Sequence, residues 1–108
     1  MPLNLPLPIA SYFTTDRRGG SGIAGLFAAN ATVKDEGNSY TGTAAIDHWA
    51  RTSSTKYDYT SRPVSCEAID GATVVTCHVT GNFPGSPVDL RYFFELDGDK
   101  ISYLRITA

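Results

Sequence analysis

Cysteine, histidine and charged residues are all scarce in this chain of 108 residues. Its two cysteines are too few for a disulfide framework, and its two histidines are far apart and belong to no metal-spaced set. No apolar run approaches the roughly 20 residues of a membrane span, and no glycine-rich loop is followed by Lys-Ser or Lys-Thr as in a phosphate-binding loop. The net charge of −2 gives no basic surface for nucleic acid or anionic lipid. We therefore expect no metal, no cofactor, and neither a nucleic-acid nor a membrane partner.

Aromatic residues are plentiful by contrast, with six Tyr, five Phe and one Trp. A chain of this length buries roughly 65% of its unfolded surface, which supports one core, so we expect a single domain over residues 1–108. The first eight residues contain three prolines and no basic residue, unlike a secretory signal. A cytoplasmic location is the corresponding expectation. The aromatic side chains either fill the core alone or also line a pocket.

The first half of the sequence predicts three short helices and one strand. An i, i+3, i+4 apolar pattern after Pro8 indicates the first helix, which the segment 16–20 interrupts, and Ser21 can cap the second. Residues 31–35 alternate as a strand, and Thr43 can cap a third helix. The apolar residues of the three helices are Ile9, Tyr12 and Phe13, then Ile23, Leu26 and Phe27, then Ile46, Trp49 and Ala50.

The second half predicts a meander of antiparallel strands over residues 57–69, 72–82, 88–96 and 100–107. Asp70-Gly71 is a strong two-residue hairpin signal, and a second tight turn is expected around residues 97–99. The predicted fold class is therefore α+β, with three helices of the N-terminal half packed on the concave face of a curved antiparallel sheet.

The hairpin signal also predicts the surroundings of both cysteines. With a two-residue turn, one small apolar face carries Val64, Cys66, Ala68, Val75, Cys77 and Val79. Cys66 and Cys77 would then be diagonal neighbours, farther apart than a relaxed disulfide allows. We expect two free, reduced thiols.

Asp35 is the first residue that could perform chemistry. Alternation places it on the same side of its strand as Ala31 and Val33, the side that must face the helices. An inward carboxylate is desolvated, so its pKa should rise and it could serve as a general base near neutral pH. The alternative is that the strand ends at Lys34 and that Asp35 is a solvated turn residue.

Tyr12 is the second candidate, because it lies on the apolar side of the first helix and its buried hydroxyl needs a partner. It either donates a hydrogen bond to a ligand oxygen or bonds to a backbone carbonyl in the core. Core packing explains most other large aromatic residues, but a sheet capped by short helices also tends to leave a pocket at its open end. The residues that could line such a pocket are Phe27, Trp49, Phe83, Tyr92 and Phe94.

The order of elements and several segments resemble the nuclear transport factor 2-like superfamily. The segments are residues 26–35 (LFAANATVKD), 40–46 (YTGTAAI), 81–87 (GNFPGSP), 90–92 (LRY) and 100–104 (KISYL). The resemblance is to its SnoaL-type polyketide cyclases and ketosteroid isomerases, and it implies a cystatin-like cone of sheet and helices. It is specific for the fold and weak for the reaction, since this fold hosts both enzymes and binding proteins.

The resemblance also implies roles for individual residues. The general-base aspartate of the family falls on Asp35, and the oxyanion-binding tyrosine of the isomerases falls on Tyr12 if one loop residue is deleted. The isomerases have a second, protonated aspartate in the next-to-last long strand, and Tyr92 is the nearest match to it here. A phenol can also donate a hydrogen bond, so Tyr12 and Tyr92 together could form an oxyanion site.

Two functions follow from this resemblance. One is a cofactor-independent isomerase or cyclase that acts on a small hydrophobic carbonyl compound with Asp35 as the base. The other is a non-catalytic module on the same scaffold, either binding a small molecule or associating with protein. Members of the superfamily commonly pair through the outer face of the sheet, so a homodimer is expected, with Thr76, His78, Thr80, Arg91 and Phe93 on the pairing faces.

Overall fold

The computed structural model describes residues 5–17, 22–56 and 59–107. The elements, in chain order, are α1 (Leu7–Arg17), a 3-10 helix (Ile23–Leu26), β1 (Phe27–Asp35), β2 (Asn38–Thr41), α2 (Thr43–Lys56), β3 (Tyr59–Ile69), β4 (Ala72–Gly81), β5 (Val88–Asp97) and β6 (Lys100–Thr107). The predicted cap Ser21 and the predicted strand start at residue 57 lie outside the described residues. No helix in the described ranges is long and apolar enough to cross a membrane.

The six strands form one curved sheet in the order β2-β1-β6-β5-β4-β3. The pairs β3–β4, β4–β5, β5–β6 and β1–β2 are antiparallel, but β1 and β6 run parallel. The prediction of an entirely antiparallel sheet is therefore wrong, and the sheet is mixed. The sequence predicts antiparallel pairing only between consecutive strands, whereas β6, the last strand of the meander, pairs with β1 from the first third of the chain.

Within the described ranges two α-helices pack on the sheet, where three were expected. The second predicted helix is only the 3-10 helix Ile23–Leu26, which begins after Gly22 in the left-handed conformation (φ 85°). Its turn is closed by the i+3 hydrogen bond from the Gly25 N–H to the Gly22 carbonyl, 3.1 Å. Because Phe27 is already extended and starts β1, the segment is too short for an α-helical turn to continue.

The hairpin between β3 and β4 forms as predicted. Ile69 pairs with Ala72, and the two turn residues between them, Asp70 and Gly71, have φ angles of 49° and 81°. Positive φ at both positions matches the twist that a two-residue hairpin needs. Cys66 then pairs with Val75 in this register, and both cysteines are free thiols, as expected.

A bulge in β3 changes one detail of that face. The register shifts between Pro63 and Ser65, so Val64 has no partner in the ladder and its side chain is 47% exposed. The prediction that Val64 joins the apolar inner face is therefore wrong. The strand keeps Cys66 on the inner face and leaves Val64 on the surface.

The core lies between the helices and the inner face of the sheet. Alternation in β5 works as predicted, with Tyr92 and Phe94 buried inward and Arg91 and Glu95 exposed outward. The outer face carries Phe93, whose ring lies 4.5 Å from the Arg105 guanidinium carbon and 5.9 Å from that of Arg91.

Candidate functional site

A cavity of about 400 Å³ opens between the two helices and one end of the sheet. Its walls come from both helices, from the end of β1 and the turn after it, from the four strands β3 to β6, and from the loop between β4 and β5, so residues distant in sequence meet there. The lining residues are Tyr12, Asp16, Asp35, Glu36, Trp49, Ala50, Tyr59, Val79, Phe83, Pro84, Val88, Leu90, Tyr92 and Ile106. The volume is within the range of small-molecule sites.

Asp35 is the last residue of β1 and lines this cavity. It pairs with Asn38 of β2, so the strand does not end at Lys34, and it shares the inner side with the fully buried Ala31 and Val33. The indole N–H of Trp49 donates a hydrogen bond to Asp35 Oδ2 at 3.1 Å. This bond joins α2 to β1 and holds the carboxylate at the cavity wall.

Tyr12 lies on the inner side of α1 and is 2% exposed. Its ring packs edge-on against Phe13 and Phe94, with centroids 5.1 and 5.4 Å away. Burial raises the pKa of the Tyr12 hydroxyl well above its ordinary value, and the negative charge of Asp16 raises it further. The phenol therefore stays protonated at neutral pH and keeps its hydrogen-bond donor.

Tyr92 lies on the inner face of β5 and is buried against α1. Its ring centroid is 5.2 Å from that of Phe13 and 6.2 Å from that of Tyr12. Burial raises the pKa of Tyr92 as well, so the cavity wall carries a second protonated phenol.

The remaining aromatic candidates divide into two groups. Trp49 and Phe83 line the cavity with Tyr12, Asp35 and Tyr92. Phe27 and Phe94 are not among the lining residues; they are buried in the core, where Phe94 is fully enclosed. A role of these two in ligand binding stays a prediction, and their packing supports the cavity wall from behind.

Asp16 and Tyr59 also line the cavity, although the sequence patterns did not single them out. The Tyr59 hydroxyl donates a hydrogen bond to Asp16 Oδ1 at 3.0 Å, joining the end of α1 to the start of β3. The sequence predicts that Asp16 belongs to the segment that interrupts the first helix, but α1 continues to Arg17. The spacing could have placed Asp16 at the cavity, because it is four residues after Tyr12 and such residues share one side of a helix.

The acidic residues of the cavity do not form a metal-binding set. Asp16, Asp35 and Glu36 all line it, yet within the described ranges no three His, Cys, Asp or Glu side chains are arranged to hold a metal ion. The chemistry that the lining residues offer is that of carboxylates next to protonated phenols, in a pocket whose other walls are aliphatic and aromatic.

Comparison with known proteins gives matches at the level of structure. No protein-family model matches the sequence, and a search of curated proteins found no relative. Among solved structures, a candidate polyketide cyclase from Sinorhizobium meliloti is 32% identical, with a TM-score of 0.88 over 95% of each chain.

Two further solved structures share the fold at lower identity. A protein from Catenulispora acidiphila with a ketosteroid isomerase-like fold, in complex with trimethylamine, is 17% identical, with a TM-score of 0.80 over 97% of this chain and 87% of that one. A nuclear transport factor 2-like protein from Cytophaga hutchinsonii is 8% identical, with a TM-score of 0.75 over 99% of this chain and 91% of that one. At these identities the likeness concerns the fold alone.

Proposed function

The chain belongs to the nuclear transport factor 2-like superfamily, among its SnoaL-like proteins, and on this premise we propose that it is a cofactor-independent isomerase or cyclase of a small hydrophobic carbonyl compound. The observation that supports the proposal is the position of Asp35. Its carboxylate lines a mostly apolar cavity, is held by the Trp49 indole, and shares that cavity with the protonated phenol of Tyr12.

The proposed reaction begins with proton transfer to Asp35. The carboxylate takes a proton from the carbon next to the substrate carbonyl. The electron pair of that C–H bond forms a C=C bond, and the π pair of the carbonyl moves onto its oxygen to give an enolate. Tyr12 donates a hydrogen bond to this oxygen, where the negative charge develops, and Tyr92 is the candidate for a second donor. Because burial keeps the pKa of both phenols raised, each remains a donor at neutral pH.

The enolate then has two outcomes that differ in where a bond forms. In an isomerase, Asp35 returns the proton to another carbon of the conjugated system. In a cyclase, the nucleophilic carbon attacks a second carbonyl of the same molecule, and a C–C bond closes the ring while the proton goes to the new alkoxide. Both outcomes regenerate the Asp35 carboxylate and need no cofactor.

Replacement of Asp35 by asparagine tests the role of the base. With a panel of linear and cyclic ketones in D₂O, the wild-type protein should exchange the hydrogens next to the carbonyl for deuterium, as followed by NMR. Asp35→Asn should slow this exchange by about 10²–10⁴-fold, the usual contribution of a general base. The midpoint of thermal unfolding should stay the same or rise, because the variant no longer places a charge in a partly desolvated cavity.

Asp47→Asn is the matched control for this experiment. Asp47 lies on α2 and pairs with Arg51 on the surface, 3.1 Å away, so its loss should leave the exchange rate unchanged. Exchange that survives in Asp35→Asn at the wild-type rate would exclude Asp35 as the base.

A non-catalytic binding module is the second candidate function. Tyr92 favours it, because this tyrosine is the nearest match to the second, protonated aspartate of the ketosteroid isomerases, and the chain therefore lacks that catalytic acid. A binding module would take up ketones in the cavity without exchange of their hydrogens in the wild-type protein, so the same NMR experiment separates the two functions.

A further inference from the structure

We propose that Ser61 is a positioning residue whose hydroxyl donates a hydrogen bond to the Tyr92 oxygen and so turns the Tyr92 hydrogen toward the ligand. The inference deepens the proposed function and rests on it in taking a carbonyl compound as the ligand. It names the group that makes Tyr92 a second donor to the carbonyl oxygen, beside Tyr12.

Ser61 is a polar residue inside an apolar and aromatic core. It lies on β3, is 3% exposed and, apart from tyrosine and tryptophan rings, is the one polar residue buried in the core among those described. Its Oγ makes no hydrogen bond of full geometry to any described residue. A core serine usually has a partner, because a buried hydroxyl without one costs free energy. The burial of Ser61 therefore points to a role other than holding the sheet together.

The strand register places Ser61 directly behind the cavity wall. Ser61 pairs with Val79 of β4 and follows Tyr59 by two residues on the same side of β3, and both of these neighbours line the cavity. Ser61 itself is not one of the lining residues. Its hydroxyl therefore acts on a ligand through a residue of the wall.

Tyr92 is the wall residue that the Ser61 hydroxyl contacts. Burial raises the pKa of Tyr92, and hydrogen bonding from Ser61 acts in the opposite direction. A donor lowers the pKa of a phenol because it stabilises the oxygen when this carries negative charge. The geometry of the contact is looser than that of a full hydrogen bond, and such contacts in active sites often tighten only in the complex with substrate.

The direction of this hydrogen bond decides what Tyr92 can do. A phenol has a single hydrogen, so a Tyr92 hydroxyl that donates to Ser61 has none left for a ligand. When Ser61 donates instead, the Tyr92 hydrogen is free to point into the cavity that its side chain lines. The two bonds then polarise each other, so negative charge that develops on a ligand oxygen strengthens both.

Cys77 is a competing acceptor for the Ser61 hydrogen. Burial raises the pKa of the Cys77 thiol, and hydrogen bonding from Ser61 opposes this rise as it does for Tyr92. Sulfur is a weak acceptor, whereas a phenol oxygen is an ordinary one. The Ser61 hydrogen is therefore directed to Tyr92 when a ligand oxygen draws on the Tyr92 donor.

The test uses acetophenone labelled with ¹³C at its carbonyl carbon. The carbonyl resonance moves downfield when the oxygen accepts hydrogen bonds, so NMR reports the donors that the bound ketone meets. Ser61→Ala should move the bound resonance upfield, toward its position in Tyr92→Phe. Deuterium exchange at the methyl group should slow by about threefold to tenfold in Ser61→Ala, the effect of one neutral hydrogen bond.

The double variant shows whether Ser61 acts through Tyr92. In Tyr92→Phe the oxygen to which Ser61 donates is missing, so a further Ser61→Ala change should alter neither the carbonyl resonance nor the exchange rate. A merely structural role of Ser61 would give effects that add to those of Tyr92→Phe. Additive effects, or wild-type values of both quantities in Ser61→Ala, would contradict the inference.

Ser65→Ala is the matched control on the same strand. Ser65 pairs with Thr76 and is not one of the lining residues, so the loss of its hydroxyl should leave the carbonyl resonance and the exchange rate unchanged. Changes as large as those in Ser61→Ala would show that neither quantity reports on Ser61 specifically, and they would overturn the assignment.

Thermal unfolding tests the inference without any ligand. Ser61→Ala removes a buried hydroxyl that lacks a hydrogen bond of full geometry, so the midpoint should stay the same or rise. A fall of more than about 4 °C, as expected for the loss of a structural hydrogen bond in a domain of this size, would assign Ser61 to the support of the fold and overturn the inference.

The inference and the proposed function fail in different ways. A carbonyl resonance that depends on Ser61 and Tyr92, without deuterium exchange in any ketone, would support the inference and exclude the enzyme. Exchange that depends on Asp35, with the resonance and rate unchanged in Ser61→Ala, would support the enzyme and overturn the inference.

Discussion

Cys66 and Cys77 lie on the same inner face of one hairpin but differ in their surroundings. Cys66 is partly exposed on β3, whereas Cys77 is fully buried on β4, the next strand inward from the edge. Burial raises the pKa of the Cys77 thiol from its ordinary value of 9.0 to about 11. Since the thiolate is the reactive form, Cys77 is both shielded and chemically unreactive at neutral pH.

Alkylation of the native protein should therefore label Cys66 alone. We expect one iodoacetamide adduct per chain near neutral pH and two adducts in denaturant, as measured by mass spectrometry with peptide mapping. Cys66→Ser should show no adduct in the native state. Equal labelling of both cysteines without denaturant would contradict the burial of Cys77.

The surroundings of Asp35 depend partly on its own strand and partly on a distant element. The inward position of Asp35 could be predicted, because the alternation of Ala31, Val33 and Asp35 depends on the sequence of one strand. The hydrogen bond from Trp49 could not, since it joins two elements whose distance depends on how α2 packs. The same holds for the bond from Tyr59 to Asp16, whose residues are 43 positions apart.

At the scale of elements, the hairpin of β3 and β4 depends on the conformation of Gly71. Its φ of +81° is in the left-handed region, which costs an L-residue about 1 kcal/mol or more. A Cβ added there would meet no atom within 4 Å, so any loss of stability on substitution comes from the backbone conformation and not from a clash.

Gly71→Ala should therefore lower the free energy of unfolding by about 1 kcal/mol, as measured by urea denaturation. Gly25→Ala is the matched control, because a Cβ at Gly25 also meets no atom within 4 Å and Gly25 does not have a positive φ. That variant should leave stability unchanged or raise it by a few tenths of a kcal/mol. Equal losses in both variants would rule out the turn conformation as the cause.

The elements themselves were predictable to different degrees. The Asp70-Gly71 signal and the alternation of β5 are local, and both appear in the structure where the sequence indicates them. β2 was missed because four residues, Asn38–Thr41, are too few to show a period. The apolar residues of the 3-10 helix have helical spacing, which predicts an α-helix, while its length depends on the left-handed Gly22 before it.

At the scale of the whole molecule, the outer face of the sheet carries a row of residues suited to pairing with itself. The strand register aligns five residues on this face, namely Lys34 of β1, Arg105 of β6, Phe93 of β5, Val74 of β4 and Glu67 of β3. The row is basic at one end and acidic at the other, and its centre is the partly exposed Phe93, which lies beside the buried Val74. A two-fold axis through its centre would place the basic end of one copy over the acidic end of the other. We propose that the chain forms a homodimer through this face.

Light scattering tests the dimer. The wild-type protein should have the mass of two chains at micromolar concentration. Phe93→Arg should have the mass of one, because it adds a third guanidinium beside Arg91 and Arg105 and sets it against its own copy across the two-fold axis. Leu7→Arg places the same charge on a residue of α1 that is 78% exposed, and it should remain a dimer. A monomeric wild-type protein would refute the proposal.

The parallel pairing of β1 with β6 has a consequence for how the cavity comes into being. β1 and β2 pair with each other across a short turn, and β3 to β6 each pair with the strand next in sequence, so each group can form from local contacts. Joining them requires Val33 to meet Leu104, 71 positions further along the chain, and closing so long a loop is slow and entropically costly. Asp35 belongs to one group and Tyr92 to the other. The two sides of the candidate site therefore meet only at this most non-local step of folding, and neither group of strands encloses the cavity before it.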